Sequence, residues 1–381
     1  MERLSLVHAT LMDPEARGPE PGTLVVEAGR MFGILPRGEI AAGSRVIDLA
    51  GRLLAPGFLD VHFHGRLPFS RPGSMRQALD LDAASMLRHG TTGFLATTVA
   101  LDDAALPDCV KMLASCVNDA MLGIHLEGPW IALEVAGAQP RAGIRPYRAG
   151  EGRRLLDEAG GAIRMVTLAP EVEGADALLA DLARAGVVAS VGHTGAAAEQ
   201  VEAAIGGGVV HATHLWNAMR GLHHRDPGVA GLVLADDRLT CDLICDGVHV
   251  HPALVRVAAR AKGERLLLIT DRIEPPEDGA GAGFGSGAVH DDGQALRLAD
   301  GRLAGSTLHL DRAVRQAVAF GAMTLHEAVA AVTLRPARLL GLEAERGTFR
   351  LGARADLAVL DAAGQVHETW VAGARVFGAA G

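Results

Sequence analysis

Eight short, nearly continuous apolar runs, separated by Ala/Leu-rich stretches of helical character, restrict the folding of this chain more than any other feature. They are GFLDVHFHG (57–65), TTGFLATTV (91–99), AMLGIHLEGP (120–129), IRMVTLAPE (163–171), VVASVGHTG (187–195), VVHATHLWN (209–217), LTCDLICDG (239–247) and RLLLITD (265–271). A strand with one wet face alternates apolar and polar residues, whereas a strand covered on both faces reads as continuous. Continuous strands alternating with helices indicate a parallel sheet made of βα units. Eight such units predict an α/β fold of the (β/α)8 TIM-barrel type, whose functional groups collect at the C-terminal ends of the strands. An open doubly wound sheet is the rival arrangement, but no GxGxxG strand-to-helix turn supports it.

The ends of the chain have another texture. Residues 1–54 read as short strands and turns (LSLVHATLM, GTLVVEAGRMFGI, SRVIDLAGRLLAPG), and 341–381 return to that pattern in GTFRLGARADLAVLDAAGQVHETWVAGARVF. Neither end alone supplies enough strands for a stable sheet. Together they are expected to form one small β-sandwich domain flanking a barrel of residues 55–340. The glycine-rich EDGAGAGFGSGAVH (277–290) is expected to be a mobile loop or hairpin after the eighth strand.

Apolar residues make up 49% of 381 positions, ample for a large core, and aromatics only 3%, so aliphatic side chains must fill it. The net charge of −9, with no long run of either sign, argues against a nucleic-acid or membrane surface. Cys109, Cys116, Cys241 and Cys245 form no CxxC pair and read as buried thiols rather than a disulfide framework. No segment reaches ~18 apolar residues, and the N-terminus lacks a basic start followed by an apolar stretch. A soluble, cytoplasmic protein is expected.

Most of the eight runs close on a residue able to bind metal or move protons. His62 and His64 end the first run, Glu127 the third, His193 the fifth, His214 the sixth and Asp271 the eighth. Residues i and i+2 of a strand share a face, so the two histidines of DVHFHG point the same way. Taken singly, each residue has an ordinary reading: a hydrogen-bonded histidine, a loop carboxylate, a helix-capping aspartate. His8, His89, His125, His211, His290, His309, His326 and His367 are read in that ordinary way. Five barrel strands presenting such groups on one rim instead indicate a metal site. Imidazoles and carboxylates suit Zn²⁺, or Fe²⁺ and similar divalent ions. Glu127, His193 and His214 make a complete three-ligand set, and His62 and His64, with Glu127 bridging, make a second ion possible. Asp271, across the mouth, is placed to act as acid and base.

These residues lie in motifs that carry a resemblance. APGFLDVHFHG, LGIHLEGPWI, VGHTGA, HATHLWNAM, DPGVAG, CDGVHVHP, LLLITD and GRLAGSTL, in that order between about residues 50 and 360, resemble the amidohydrolase superfamily. Within it they look like the N-acetylglucosamine-6-phosphate deacetylase family. The resemblance implies hydrolysis of the N-acetyl amide of an amino-sugar 6-phosphate to acetate and the free amine. It also implies that Glu127, His193 and His214 are the principal ligands and Asp271 the acid/base, with His249 polarising the substrate carbonyl. Ala138, Gln139, Asn217, Ala218, Leu303, Ala304 and Gly305 would meet the substrate. Arg225 would meet the sugar phosphate, reaching a neighbouring subunit's site in a homodimer; read without the resemblance, it is equally a solvated loop charge beside His223 and His224.

Three stretches depart from the family pattern. Gln139 stands where a histidine is common, RLPFSRPGSM replaces a glycine-rich segment after HFHG, and Arg272 and Glu274 follow the catalytic aspartate. Arg272 either engages an anionic substrate group or pairs with Glu274. The metal set is untouched by these changes. The galactosamine analogue as substrate, another amidohydrolase acting on a cyclic amide or a base, and a non-catalytic metal or sugar-phosphate binder remain as alternatives. The last would have no use for Asp271.

Overall fold

The computed structural model describes residues 2–70, 72–275, 283–284 and 287–378. All eight apolar runs form strands: β1 (Phe58–Gly65), β2 (Thr91–Thr97), β3 (Met121–Glu127), β4 (Ile163–Leu168), β5 (Val188–Val191), β6 (Val209–Ala212), β7 (Thr240–Ile244) and β8 (Leu266–Ile269). They lie side by side in chain order within a nine-stranded sheet, whose ninth member, β9 (Arg272–Ile273), sits beyond β1. Because only two residues separate β9 from β8, its pairing returns the sheet to its first strand. Arg272 is opposite Phe63 and Ile273 opposite Gly65 in parallel register. The Asp271 N–H also donates to the His62 carbonyl at 2.9 Å. The sheet thereby curls into the barrel that the sequence predicts.

A helix follows each strand from β1 to β7, the crossover that parallel strands require. Covered inside and out, β1 and β2 bury every residue, which explains the lack of apolar/polar alternation in the sequence. The barrel interior is not wholly apolar. His125 on β3 meets Thr167 Oγ1 at 2.7 Å, Thr167 meets Thr213 at 2.7 Å, and Thr213 meets Ser190 at 2.5 Å. Buried polar groups are tolerated when each has a partner, and this chain of hydroxyls links four consecutive strand units. His125 and His211 therefore have structural roles: His211 lies 3.0 Å from Asp242 and 2.7 Å from Thr240.

The chain separates into two compact units, Met1–Asp60 with Ala83–Gly93 and His309–Gly381, and Val61–Asp82 with Phe94–Leu308. In the first, strands from both termini share one eight-stranded sheet separate from the barrel sheet. Its central strand, Arg3–Leu11, forks: the first half pairs in parallel with Arg45–Asp48 and the second with Leu53–Pro56. A bulge lies at the fork, between Leu6 and Ala9 in the pairing with Glu20–Glu27, and His8 there has φ of 54°. A bulge shifts the alternation of sides by one residue. Leu4, Leu6, Ala9 and Leu11 consequently all join one core cluster with Leu24, Val26, Leu357, Val359 and Trp370.

The expectation for the glycine-rich stretch 277–290 falls largely outside the described residues. Beyond β9, Gly283–Phe284, Gly287–Asp291 and Leu296–Leu298 make a small antiparallel sheet.

Candidate active site

The site is made by the strand ends of the second unit. His62 and His64 face the barrel mouth from alternate positions of β1, while Phe63 between them turns outward against Phe94, with ring centroids 5.4 Å apart. Glu127 is the last residue of β3. The other three polar groups come two residues after their strands end: His193 after β5, His214 after β6, Asp271 after β8. Each has a left-handed backbone, with φ of 48°, 35° and 47°. That conformation is uncommon for residues other than glycine. It recurs here at three equivalent places, where the chain must leave the strand and the side chain must still reach the centre. Local strain of this kind persists only where the surroundings enforce it.

Glu127 is the hub. Its Oε1 lies 3.0 Å from His193 Nε2 and 3.0 Å from His214 Nε2, and those two nitrogens are 3.2 Å apart. His193 Nδ1 donates to the Val135 carbonyl at 3.1 Å, which orients the ring so that Nε2 faces Glu127. A second group, His62, His64 and Asp271, adjoins the first. Asp271 Oδ1 is 3.4 Å from His62 Nε2 and 3.3 Å from His64 Nε2. Glu127 stands between the groups, with Oε1 3.4 Å from His62 and Oε2 3.1 Å from His64. His62, His64, Glu127, His193 and His214 are all buried.

The electrostatics call for positive charge. Burial alone would strip the proton from His64 and His214. The carboxylates of Asp271 and Glu127 overcome it, pushing His64 up to about 10 and His214, mainly through Glu127, up to about 9. Burial would conversely raise Glu127 and Asp271, but the surrounding imidazoles hold both below the usual carboxylate range. Imidazole nitrogens and carboxylate oxygens that converge out of water, with two carboxylates demanding a counter-charge, fit a divalent cation that takes the place of those protons.

A cavity of about 410 Å³ opens over this cluster. The predicted His64, Glu127, Ala138, Gln139, His193, His214, Asn217, Ala218, His249, Asp271, Leu303, Ala304 and Gly305 all line it, and so do Val135, Gly137, Met219 and Arg302, which sequence reasoning did not single out. Arg302 directly precedes Leu303 and caps the cavity wall by donating to the Gly137 carbonyl; its place before LAGSTL was the available signal. Arg225 is outside that lining, on an exposed turn where its guanidinium meets His224 at 2.8 Å. His249 Nδ1 is 2.6 Å from Asp246 Oδ2, and its Nε2 is buried with no hydrogen-bond partner among the described residues. The ring thus presents one unused nitrogen to the cavity. Gln139 faces Glu127: its amide N–H donates to Oε2, while its carbonyl accepts from the Ala100 N–H at 2.8 Å. Arg272 pairs with Glu274 at 2.7 Å, the second of the two expectations for it.

Comparison with known proteins identifies the family. Residues 53–376 match the amidohydrolase family. Human N-acetylglucosamine-6-phosphate deacetylase is 37% identical over 349 residues, covering 87% of this chain and 85% of the relative. An N-acetylgalactosamine-6-phosphate deacetylase from Escherichia coli O157:H7 is 35% identical, covering 86% and 89%. Among solved structures, an N-acetyl-D-glucosamine-6-phosphate deacetylase variant from Mycobacterium smegmatis, in complex with N-acetyl-D-glucosamine-6-phosphate, superposes with a TM-score of 0.88 at 35% identity, covering 99% of both chains. The chain belongs to the amidohydrolase family and, within it, to the N-acetylglucosamine-6-phosphate deacetylases.

Proposed function

We propose that this protein hydrolyses the N-acetyl amide of N-acetylglucosamine 6-phosphate, giving acetate and glucosamine 6-phosphate. The observation that carries the reading is that two adjoining groups, Glu127, His193 and His214 and His62, His64 and Asp271, meet beneath a cavity large enough for a sugar phosphate. Glu127, His193 and His214 would hold a divalent ion; two imidazoles and a carboxylate favour Zn²⁺ over Mg²⁺ or Ca²⁺. Such an ion, when bound, polarises the amide carbonyl and acidifies water. His62 and His64, with Glu127 between, would admit a second.

The chain's own groups do the rest. Asp271 takes the proton from the attacking water as it adds to the carbonyl carbon, and returns it to the amine nitrogen as the C–N bond breaks. His249, its ring fixed by Asp246, contacts the acyl oxygen through Nε2. Asn217, Ala218, Ala138 and the Leu303–Gly305 backbone hold the sugar. Arg225, exposed and outside the lining of its own cavity, supplies planar paired donors to the 6-phosphate in a neighbouring subunit. The reading extends to a cytoplasmic homodimer.

Acetate release across N-acetyl glucosamine, galactosamine and mannosamine, each with and without 6-phosphate, tests it. N-Acetylglucosamine 6-phosphate is expected to give the highest kcat/KM. No acetate from any of them would end the proposal, and a preference for the galactosamine epimer would reassign the substrate. The Arg225→Ala variant should raise KM for phosphorylated sugars only.

A further inference from the structure

We propose that Arg66, Asp82, Glu274 and Arg272 form a positioning network that fixes the main chain carrying His64 and Asp271. Arg66 lies two residues after His64, and Arg272 directly follows Asp271. Arg66 Nη1 bonds Asp82 Oδ1 and lies 2.9 Å from Glu274 Oε2. The other oxygen of Glu274 takes Arg272 Nη2 at 2.7 Å, and Arg272 Nη1 donates to the Thr307 carbonyl. The side chains thus run without a break from β1 to β9 and on to the Leu303–Thr307 segment, across the seam where the barrel closes.

The backbone takes the same path. The Arg66 N–H donates to Asp82 Oδ2 at 2.9 Å, and the Glu274 N–H to the Gly65 carbonyl at 2.9 Å. Gly65 has φ of 55°, and a Cβ there would stand 2.1 Å from Asp82 Oδ2, so the turn after His64 is moulded around that carboxylate. Asp82 is fully buried, and Arg272 and Glu274 are 13% and 19% exposed. Two arginines face two carboxylates, leaving no unbalanced cation to engage a substrate anion.

The network secures Asp271. Its left-handed backbone is gripped by the bond from its own N–H to His62 and by the Ser306 N–H donating to its carbonyl at 2.9 Å. Both bonds belong to the segments that Arg66, Glu274 and Arg272 tie together. A displacement near 1 Å at a reacting group is costly to rate and cheap to binding, so such a network acts on kcat through Asp271 rather than on substrate affinity.

The kinetic half of this inference rests on the deacetylase reading; the structural half does not. The test uses Glu274→Ala in the full-length, metal-loaded enzyme, with Glu274→Gln as the conservative variant. Amide hydrogen exchange at Asp271 is expected to accelerate about tenfold in Glu274→Ala. On N-acetylglucosamine 6-phosphate, kcat should fall about tenfold with KM held within about twofold, and Glu274→Gln should recover part of both changes. Unchanged exchange with unchanged kcat would overturn the proposal. So would a raised KM at full kcat, which would make Arg272 a substrate ligand. If Glu274→Ala does not fold, Arg272→Lys, which keeps the charge and loses the fork, should show the same pattern at smaller amplitude. If the wild type releases no acetate, the functional reading falls, while the exchange measurement still decides the network.

Discussion

The Gln139 side chain spans the gap between the Ala100 main chain and Glu127: it accepts from one at 2.8 Å and donates to Oε2 of the other. The Ala100 contact fixes which end of the amide is oxygen, so the end facing Glu127 must be a donor. Groups that orient a metal ligand typically account for 10- to 100-fold in metal affinity. Gln139→Ala is therefore expected to weaken divalent-ion binding by about that factor, read by competition with a chelator, and Gln139→Glu, which sets a second carboxylate against the first, to weaken it further. Unaltered affinity in both variants would show that Glu127 is held by the barrel alone.

Asp271 differs from the other carboxylate in its surroundings. Glu127 is ringed by four imidazoles and an amide, whereas Asp271 is 15% exposed, lies beside His62 and His64 alone of these imidazoles and lines the cavity. Neighbouring His62 and His64 outweigh burial and keep it ionised, as a proton acceptor must be. Asp271→Asn keeps the shape and removes the base, so kcat should fall by about 10²- to 10⁴-fold, while Glu127, His193 and His214 retain an ion that metal analysis detects. Near-normal turnover would remove Asp271 from the acid/base role.

Much of this was legible in the residues. Continuous apolar strands are a direct record of burial on both faces, so eight of them alternating with helical stretches could be read as a barrel. The rim residues were legible because they break those runs at the same relative place. Anything set by two segments distant in sequence could not be read. Gln139 is an ordinary amide until Ala100 and Glu127 are seen on either side of it. The pairing of Arg272 with Glu274 was one of two open choices, and its continuation through Arg66 to Asp82 depends on the barrel closing. The bulge at His8 was equally invisible, because Leu4 to Leu11 shows no steady period to the eye. Arg302 was visible only as the residue before LAGSTL, and its bond to the Gly137 carbonyl joins segments 165 residues apart.

Asp82 provides a pH test of how the network is held. Burial pushes its carboxyl up to about 6 from 3.8; bonds from Arg66 work against the shift and the nearby Glu274 charge adds to it. The native state therefore binds this proton more tightly than the unfolded chain does. The stability it contributes is fully present below pH 3.8 and is lost as pH rises through about 6. A difference of about two pH units corresponds to about 3 kcal/mol. Asp82→Asn keeps an acceptor for the Arg66 N–H and cannot ionise. The wild type should thus lose about 2.5 kcal/mol relative to Asp82→Asn between pH 4 and pH 7.5, measured by denaturant unfolding of both proteins at matched metal. Taking the difference between the two cancels the pH dependence of metal binding that they share. A buried ion pair that repays only part of its desolvation is a poor source of stability, so retention of Asp82 is better explained by the position it gives Gly65 and Arg66. A difference that stays constant across this range would mean that Arg66 fully compensates the buried charge, and that Asp82 titrates as it does in the unfolded chain.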